Sequence, residues 1–263
     1  MIWLFLPSAA LACWPLSGTA TPDPIQDPFG PRLIGGAYDY HRGLDLDGTT
    51  GDPVHVVADG KVVRTETAAA SASTGRASYG NWVLVEHASR ADGTPVHTAY
   101  LHLASFSARV GDLVSEGDTL GEVGSTGVAT RTDHLHLVAF EGLVKTYVKK
   151  EKAVSPFRVI DTGVPTVATV DVTDAVTVEV TVDIPTLDAV RFEFVGTDGS
   201  HVIDFETAEG LCGDAATCEG ATIAPGDITV ASTQAVWTFS LPLLGVVTGV
   251  EVYDSGGDLV GSW

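Results

Sequence analysis

Between residues 54 and 140 the apolar positions come in short runs and alternations separated by Gly, Asp and Ser, and no stretch sustains a 3.6-residue apolar period. That pattern predicts strands. Residues 54–58 and 61–64 flank Asp59-Gly60, a dipeptide suited to the positive φ angles of a two-residue turn, so the two runs are expected to pair as a hairpin. Residues 82–87 and 96–103 read as a second hairpin joined through Ala91-Asp-Gly-Thr94, and 119–124 and 134–140 as further strands. The Ala- and Ser-rich stretch 68–78 lies between two strands and is expected to be a mobile loop, either the wall of a groove or a plain solvated insertion.

Ser155-Pro156 marks the expected end of the first domain. Beyond it, residues 166–182 are dominated by Val and Thr, and β-branched runs recur at 189–195, 228–232, 235–241 and 246–253. Short runs at this spacing, broken by Gly, Asp and Pro, predict a sandwich of roughly 100 residues. Residues 21–32 are rich in Pro and Asp and should form an extended lead-in rather than an element. The expected fold class is all-β. It comprises a linker at 21–27, a β-rich domain over 28–157 and a small β-sandwich over 158–263, with no repeat relating the two halves.

Charge narrows the partners. The chain carries 34 acidic against 14 basic residues, and after Arg158 its only Lys or Arg is Arg191, against seventeen Asp and Glu. Such a surface repels phosphate backbones and anionic lipids, so neither nucleic acid nor a membrane surface is an expected partner. The plain reading of these carboxylates is solubility. Residues 1–12 are apolar and about the length of a secretory h-region, roughly 7–15 residues, too short to span a bilayer. They read as the core of an export signal over 1–20, although no Lys or Arg precedes the apolar run; the structural alternative is a buried N-terminal strand. The expected location is secreted or periplasmic, with no transmembrane helix in the mature protein.

Cysteine usage agrees with export. Cys212 and Cys218 bracket a short Gly-Asp-Ala-Ala-Thr loop and are expected to form a disulfide in an oxidising compartment, leaving Cys13 over. Three outcomes for Cys13 stay open. Cleavage after Ala20 removes it, cleavage after Ala12 makes it the first mature residue, and a lipoprotein peptidase cutting there would make it a lipid anchor with a leader of 1–12. Ala10-Leu-Ala-Cys13 lacks the Leu expected three residues before such a cysteine.

The chemistry-bearing residues lie in the first half. In His134-Leu-His136 on a strand both imidazoles point the same way, so both could reach one metal ion, or one could bind while the other moves protons. His41-Arg-Gly-Leu-Asp45 adds an imidazole and a carboxylate, and Gly43 with the following Asp-Leu-Asp-Gly-Thr argues for a loop entering a strand rather than a helix. Each pair alone is weak. A third element, Tyr100-Leu-His102-Leu, ends a predicted strand.

With it, the chain resembles the LytM-like or lysostaphin-like zinc metallopeptidases, the M23 peptidases of bacterial cell walls. The matching residues run in order: Pro28-Phe-Gly-Pro-Arg32, His41-Arg-Gly-Leu-Asp45, Gly51-Asp-Pro-Val54 with Ala58-Asp-Gly60, Tyr79-Gly-Asn81, Tyr100-Leu-His-Leu103, Val110-Gly111 through Gly117, Gly121-Glu-Val-Gly-Ser-Thr-Gly127 and His134-Leu-His136. An ordered series across roughly residues 28–157 is far more specific than any one motif. The resemblance implies a LytM-type domain with one Zn2+ per chain, held by His41, Asp45 and His136, and with His102 and His134 as catalytic histidines that are not ligands. Which of these two is the base stays open, with His134 preferred. Three protein ligands leave zinc an open position, where bound water can approach a pKa of ~7. His55, His87, His97 and His201 match no ligand or catalytic position, and Asp47 reads as a turn residue.

Two departures from the family pattern stand out. Leu137-Val138-Ala139 follows His-x-His where the family usually has Phe-Glu, and the run from 128 to 133 is one residue longer than usual and lacks the common Gly-Pro. Both bear on substrate preference more than on metal binding. The implied activity is an exported zinc metalloendopeptidase that hydrolyses peptide cross-links of peptidoglycan, its expected partner. The alternatives are a catalytically inactive LytM-like regulator or wall-binding protein, and a zinc peptidase acting on Gly-rich proteins.

Overall fold

The computed structural model describes residues 13–34, 37–127, 132–142, 153–160, 167–183, 188, 191–204, 216–218, 221–223, 228–230 and 234–263. In chain order the first elements are β1 (Ile25–Asp27), β2 (Gly30–Ile34), β3 (Ala37–His41), β4 (Leu44–Asp47), β5 (Pro53–His55), β6 (Gly60–Glu66), α1 (Ala68–Ser73), β7 (Asn81–His87), β8 (Val96–Leu103), β9 (Ser105–Phe106), β10 (Leu113–Val114), β11 (Thr119–Glu122) and β12 (His134–Glu141). They continue as β13 (Ala153–Val154), β14 (Ala168–Val172), β15 (Thr177–Asp183), β16 (Arg191–Gly196), β17 (Gly199–Asp204), β18 (Ala216–Cys218), β19 (Ala221–Ile223), β20 (Ile228–Val230), β21 (Gln234–Ser240), β22 (Val247–Tyr253) and β23 (Leu259–Ser262). The expected all-β class is borne out among these residues. By contact density they divide into two units, one within 1–26, 45–152 and 158–164, the other within 27–44, 153–157 and 165–263.

The first unit is built on a sheet of order β1-β4-β12-β8-β7-β6-β10, beside a three-stranded sheet β5-β11-β9. β8 lies between antiparallel neighbours, with Ala99 opposite Val138 of β12 on one side and Leu84 of β7 on the other. All eight of its residues are buried, which requires cover on both faces of the sheet. Its polar side chains must therefore find partners inside. Thr98 Oγ1 does so 2.7 Å from His87 Nε2 and 3.1 Å from the Tyr100 hydroxyl, which accepts from Val57 N–H.

The hairpin expected of residues 82–87 and 96–103 is present as β7 and β8. The one expected around Asp59-Gly60 is not: β5 pairs with β11, while β6 pairs with β7 and β10. Neither Asp59 nor Gly60 has the positive φ that a type I′ turn needs. Gly60 is small for another reason, because a Cβ there would lie 2.5 Å from the Glu86 carbonyl of β7.

The stretch 68–78 also departs from its expected loop, since it contains α1. Alanine has the highest helix propensity, and Thr67 caps the start by accepting from Ala70 N–H. Tertiary bonds hold both sides of this six-residue helix, with Asn81 Oδ1 accepting from Ala68 N–H at 2.7 Å and Ser71 Oγ donating to the Gly80 carbonyl at 2.8 Å. The lead-in at 21–32 likewise contains β1 and most of β2. Pro31 is tolerated there because, among the described residues, β2 pairs with β3 alone in a two-stranded sheet.

Residues 13–26 are part of the first unit. Cys13 and Trp14 are buried, the Pro15 carbonyl accepts from His55 N–H at 2.7 Å, and the Asp23 carboxylate accepts from Leu16 and Ser17 N–H, both at 2.7 Å. Cys13 is a free thiol; the expected Cys212–Cys218 pairing lies outside the described residues.

In the second unit one sheet has the order β14-β15-β21-β19-β18, with β20 also on β21, and another the order β17-β16-β22-β23. Alternate residues of each face a shared apolar layer. Val178, Val180, Trp237 and Phe239 come from one sheet and Phe192, Phe194, Val250 and Val252 from the other, with ring centroids of Phe192 and Phe239 4.9 Å apart. The period-two pattern exposed most of these strands; β17 escaped it, because it is an edge strand whose Gly-Ser-His-Val-Ile-Asp run contains only two strong β formers.

Candidate metal centre

His41 closes β3, Arg42 and Gly43 turn the chain, and Asp45 is the second residue of β4. Four residues of covalent chain thus keep an imidazole and a carboxylate close, by a loop entering a strand as expected. His134 and His136 lie two apart on β12, and β12 pairs with β8 so that His136 stands opposite Leu101, one residue before His102. Five side chains scattered over almost a hundred positions are thereby brought together.

His41, Asp45 and His136 each offer one ligand atom, and these atoms lie within 4.8 Å of one another. No other such group of three occurs among the described residues. His41 Nδ1 donates to the Pro28 carbonyl at 2.7 Å, which fixes the proton on that nitrogen and leaves Nε2 with its lone pair. His136 Nδ1 donates to Asp45 Oδ1 at 2.6 Å. Two imidazoles and one carboxylate suit Zn2+, and a cation taken up there would displace the proton shared by Nδ1 and Oδ1. The residues present fit the metal that the sequence implies.

His102 and His134 stand beside this group. Their ring centroids are 5.0 Å apart, the His102 ring is 5.6 Å from that of His136, and His134 Nε2 lies 3.8 Å from Asp45 Oδ1. Each donates through Nδ1 to a main-chain carbonyl, His102 to Thr126 at 3.0 Å and His134 to Thr132 at 2.9 Å, so in each neutral ring Nε2 is the accepting nitrogen. Burial, and then the neighbouring His136 and His134, push the His102 pKa down to about 3. His102 is therefore a neutral hydrogen-bond acceptor at ordinary pH.

The remaining histidines sit elsewhere in bonds of their own. His55 Nδ1 donates to the Gly117 carbonyl, His87 Nδ1 to the Asp59 carbonyl, and His97 Nε2 is 3.5 Å from Glu86. Asp47 is the last residue of β4. Sequence reading did not single out Thr126 or Asn81, which contact the His102 segment. The one available signal was their place in the matched runs Gly121-Glu-Val-Gly-Ser-Thr-Gly127 and Tyr79-Gly-Asn81.

The sequence model of Peptidase family M23 matches residues 39–156. Among curated relatives, the DD-carboxypeptidase/endopeptidase Mpg of Neisseria meningitidis serogroup B is 36% identical over 117 residues, which are 44% of this chain and 24% of that protein. The glycyl-glycine endopeptidase ALE-1 of Staphylococcus capitis is 38% identical over 112 residues, 41% of this chain and 26% of that protein. The chain thus spans about a quarter of the length of these relatives. Among solved structures, that of LytU is 27% identical with a TM-score of 0.42, covering 54% of this chain and 86% of that one. Residues 39–156, which hold all five of the converging side chains, belong to peptidase family M23.

Proposed function

We propose that this chain is an exported zinc metalloendopeptidase that hydrolyses peptide cross-links of peptidoglycan. The observation that carries the reading is the convergence of His41, Asp45 and His136 ligand atoms within 4.8 Å, with the His102 and His134 rings beside them. His41 Nε2, an Asp45 carboxylate oxygen and His136 Nδ1 would hold one zinc. When bound, zinc supplies Lewis acidity toward a water and toward the scissile carbonyl. His134 Nε2 accepts a proton from the attacking water and returns it to the leaving amine, a role that needs a lone pair pointing to the centre while Nδ1 is anchored. His102 Nε2, neutral and held by its Nδ1 bond, accepts a hydrogen bond from the same water and orients it. Names of the relatives differ in the bond they specify, so the bond cut here is left to measurement. An inactive regulator is disfavoured because all three metal-binding residue types are in place. No helix among the described residues is long and apolar enough to cross a membrane.

The test is metal content by mass spectrometry together with fragment release from purified sacculi of defined cross-link chemistry. Close to one zinc per chain and release of fragments are expected, with release abolished by a chelator and by His41→Ala. A protein that takes up no zinc under metal-replete conditions would sink the reading. Mass analysis of the fragments names the bond.

A further inference from the structure

The matched runs Tyr79-Gly-Asn81 and Gly121–Gly127 contribute no group to the chemistry above, yet they meet at His102. Among the described residues His102 is the one non-glycine with a positive φ, 66°. The β7–β8 ladder does not hold it there, because that ladder changes register between Asn81 and Val83, just where the segment ends. Two side chains do the holding instead. Asn81 Nδ2 donates to the carbonyls of Leu103 and Ala104, both at 2.9 Å, and Thr126 Oγ1 donates to the Leu103 carbonyl at 2.7 Å. They are also tied to each other, since Thr126 Oγ1 accepts from Asn81 N–H at 2.9 Å. Thr126 closes the circuit through its main chain, its N–H donating to the His102 carbonyl at 3.3 Å and its carbonyl accepting from His102 Nδ1.

Glycines make the approach possible. A Cβ on Gly80 would lie 2.2 Å from the Thr126 carbonyl oxygen, and one on Gly127 would lie 2.5 Å from the Ser78 carbonyl oxygen. Both glycines also have positive φ, 67° and 114°. The two loops are thus pressed together with nothing larger than hydrogen between them, and the atom delivered to His102 is a carbonyl oxygen.

We propose that Asn81 and Thr126 are positioning residues, a clamp that holds His102 in its left-handed conformation with the proton on Nδ1 and the lone pair of Nε2 facing the metal centre. The proposal rests on the peptidase reading for its catalytic consequence but not for its geometry. Without the clamp the peptide at His102 relaxes toward negative φ, the ring turns, and either nitrogen can carry the proton.

The experiment compares Thr126→Val and Asn81→Asp with Thr126→Ser in the full chain. Valine keeps the shape of threonine without its hydroxyl, aspartate keeps the acceptor that Ala68 uses without the two donors, and serine keeps the hydroxyl. Long-range proton–nitrogen NMR of 15N-histidine protein, assigned with His102→Gln, reads the tautomer of His102. The Nδ1–H form is expected in the native protein and in Thr126→Ser, and a mixture in the other two. On sacculi, kcat should fall on the order of 10²-fold in Thr126→Val and Asn81→Asp at unchanged KM and unchanged zinc content, with Thr126→Ser within about twofold of native. Variants that fold and hold zinc with the native tautomer and native kcat overturn the clamp, and so does a loss of kcat that only follows loss of zinc. Should the native protein leave sacculi intact, the peptidase reading fails, and the tautomer measurement still decides the clamp.

Discussion

A side chain at φ 66°, as at His102, stores roughly 1–3 kcal/mol of backbone strain, which persists only where surrounding bonds over-determine the conformation. That strain sits beside the converging metal-binding residues and nowhere else among the described non-glycine positions. His87 shows a different use of a buried imidazole. Its Nδ1 donates to the Asp59 carbonyl, its Nε2 contacts Thr98 Oγ1, and burial holds its pKa below the usual histidine value. The folded state therefore resists a proton that the unfolded chain takes up below about pH 6.5. Because the unfolded state then binds more protons, stability is greatest above that pH and declines as pH falls through it. Urea midpoints of native protein and His87→Gln at pH 7.5 and pH 5.5 test this. The native protein should lose more on acidification, and equal losses would rule out His87 as a source. The five converging residues come from the ordered resemblance to the M23 peptidases, each pair alone being weak; the strain at His102 was not legible, because its φ depends on bonds from Asn81 and Thr126, far along the chain.

Strands with strong alternation declared themselves, and those defined by neighbours did not. β7 and β8 carry runs of buried apolar residues and a polar turn between them, so their pairing was legible. At Asp59-Gly60 the local signal for a hairpin was sound, but β6 gains two partners, β7 and β10, and β5 joins another sheet. Helix α1 was missed because six residues are too few to display a helical period, and an isolated helix of that length is unstable in water. Its stability should then depend on the cap and on tertiary bonds. Thr67→Ala removes the side chain that accepts from Ala70 N–H and is expected to cost about 1 kcal/mol. Chemical denaturation followed by tryptophan fluorescence measures it, with Trp82 Nε1 bonded to Ser71 Oγ of this helix as a local reporter. A cost below about 0.3 kcal/mol would show that the tertiary bonds alone hold the turn.

The two units differ in how they hold polar groups. The first buries histidines and a Thr–Tyr–His network and pairs a half-buried Glu66 with Arg64 and the buried Arg76, whereas the second has a layer of aromatic and β-branched side chains under an acidic exterior. Residues 13–20, read from sequence as the end of a leader, include a Trp14 only 1% exposed. Loss of a fully buried large aromatic costs roughly 3–5 kcal/mol. A chain beginning at residue 21 should therefore melt below one beginning at residue 13, by roughly 6–20 °C in calorimetry. Equal melting temperatures would mean that Trp14 contributes no packing. By itself the sequence determined the all-β class and most strand positions, because period-two patterning is a local property of the chain, while the five residues of the proposed centre rest on the order of motifs shared with a known family. Only the tertiary structure decided which strands pair, that a short helix follows Thr67, and that two glycine-lined loops deliver a carbonyl to His102. Each of those outcomes depends on atoms brought within hydrogen-bonding distance from positions 10 to 60 or more residues apart, and no local pattern records such a distance.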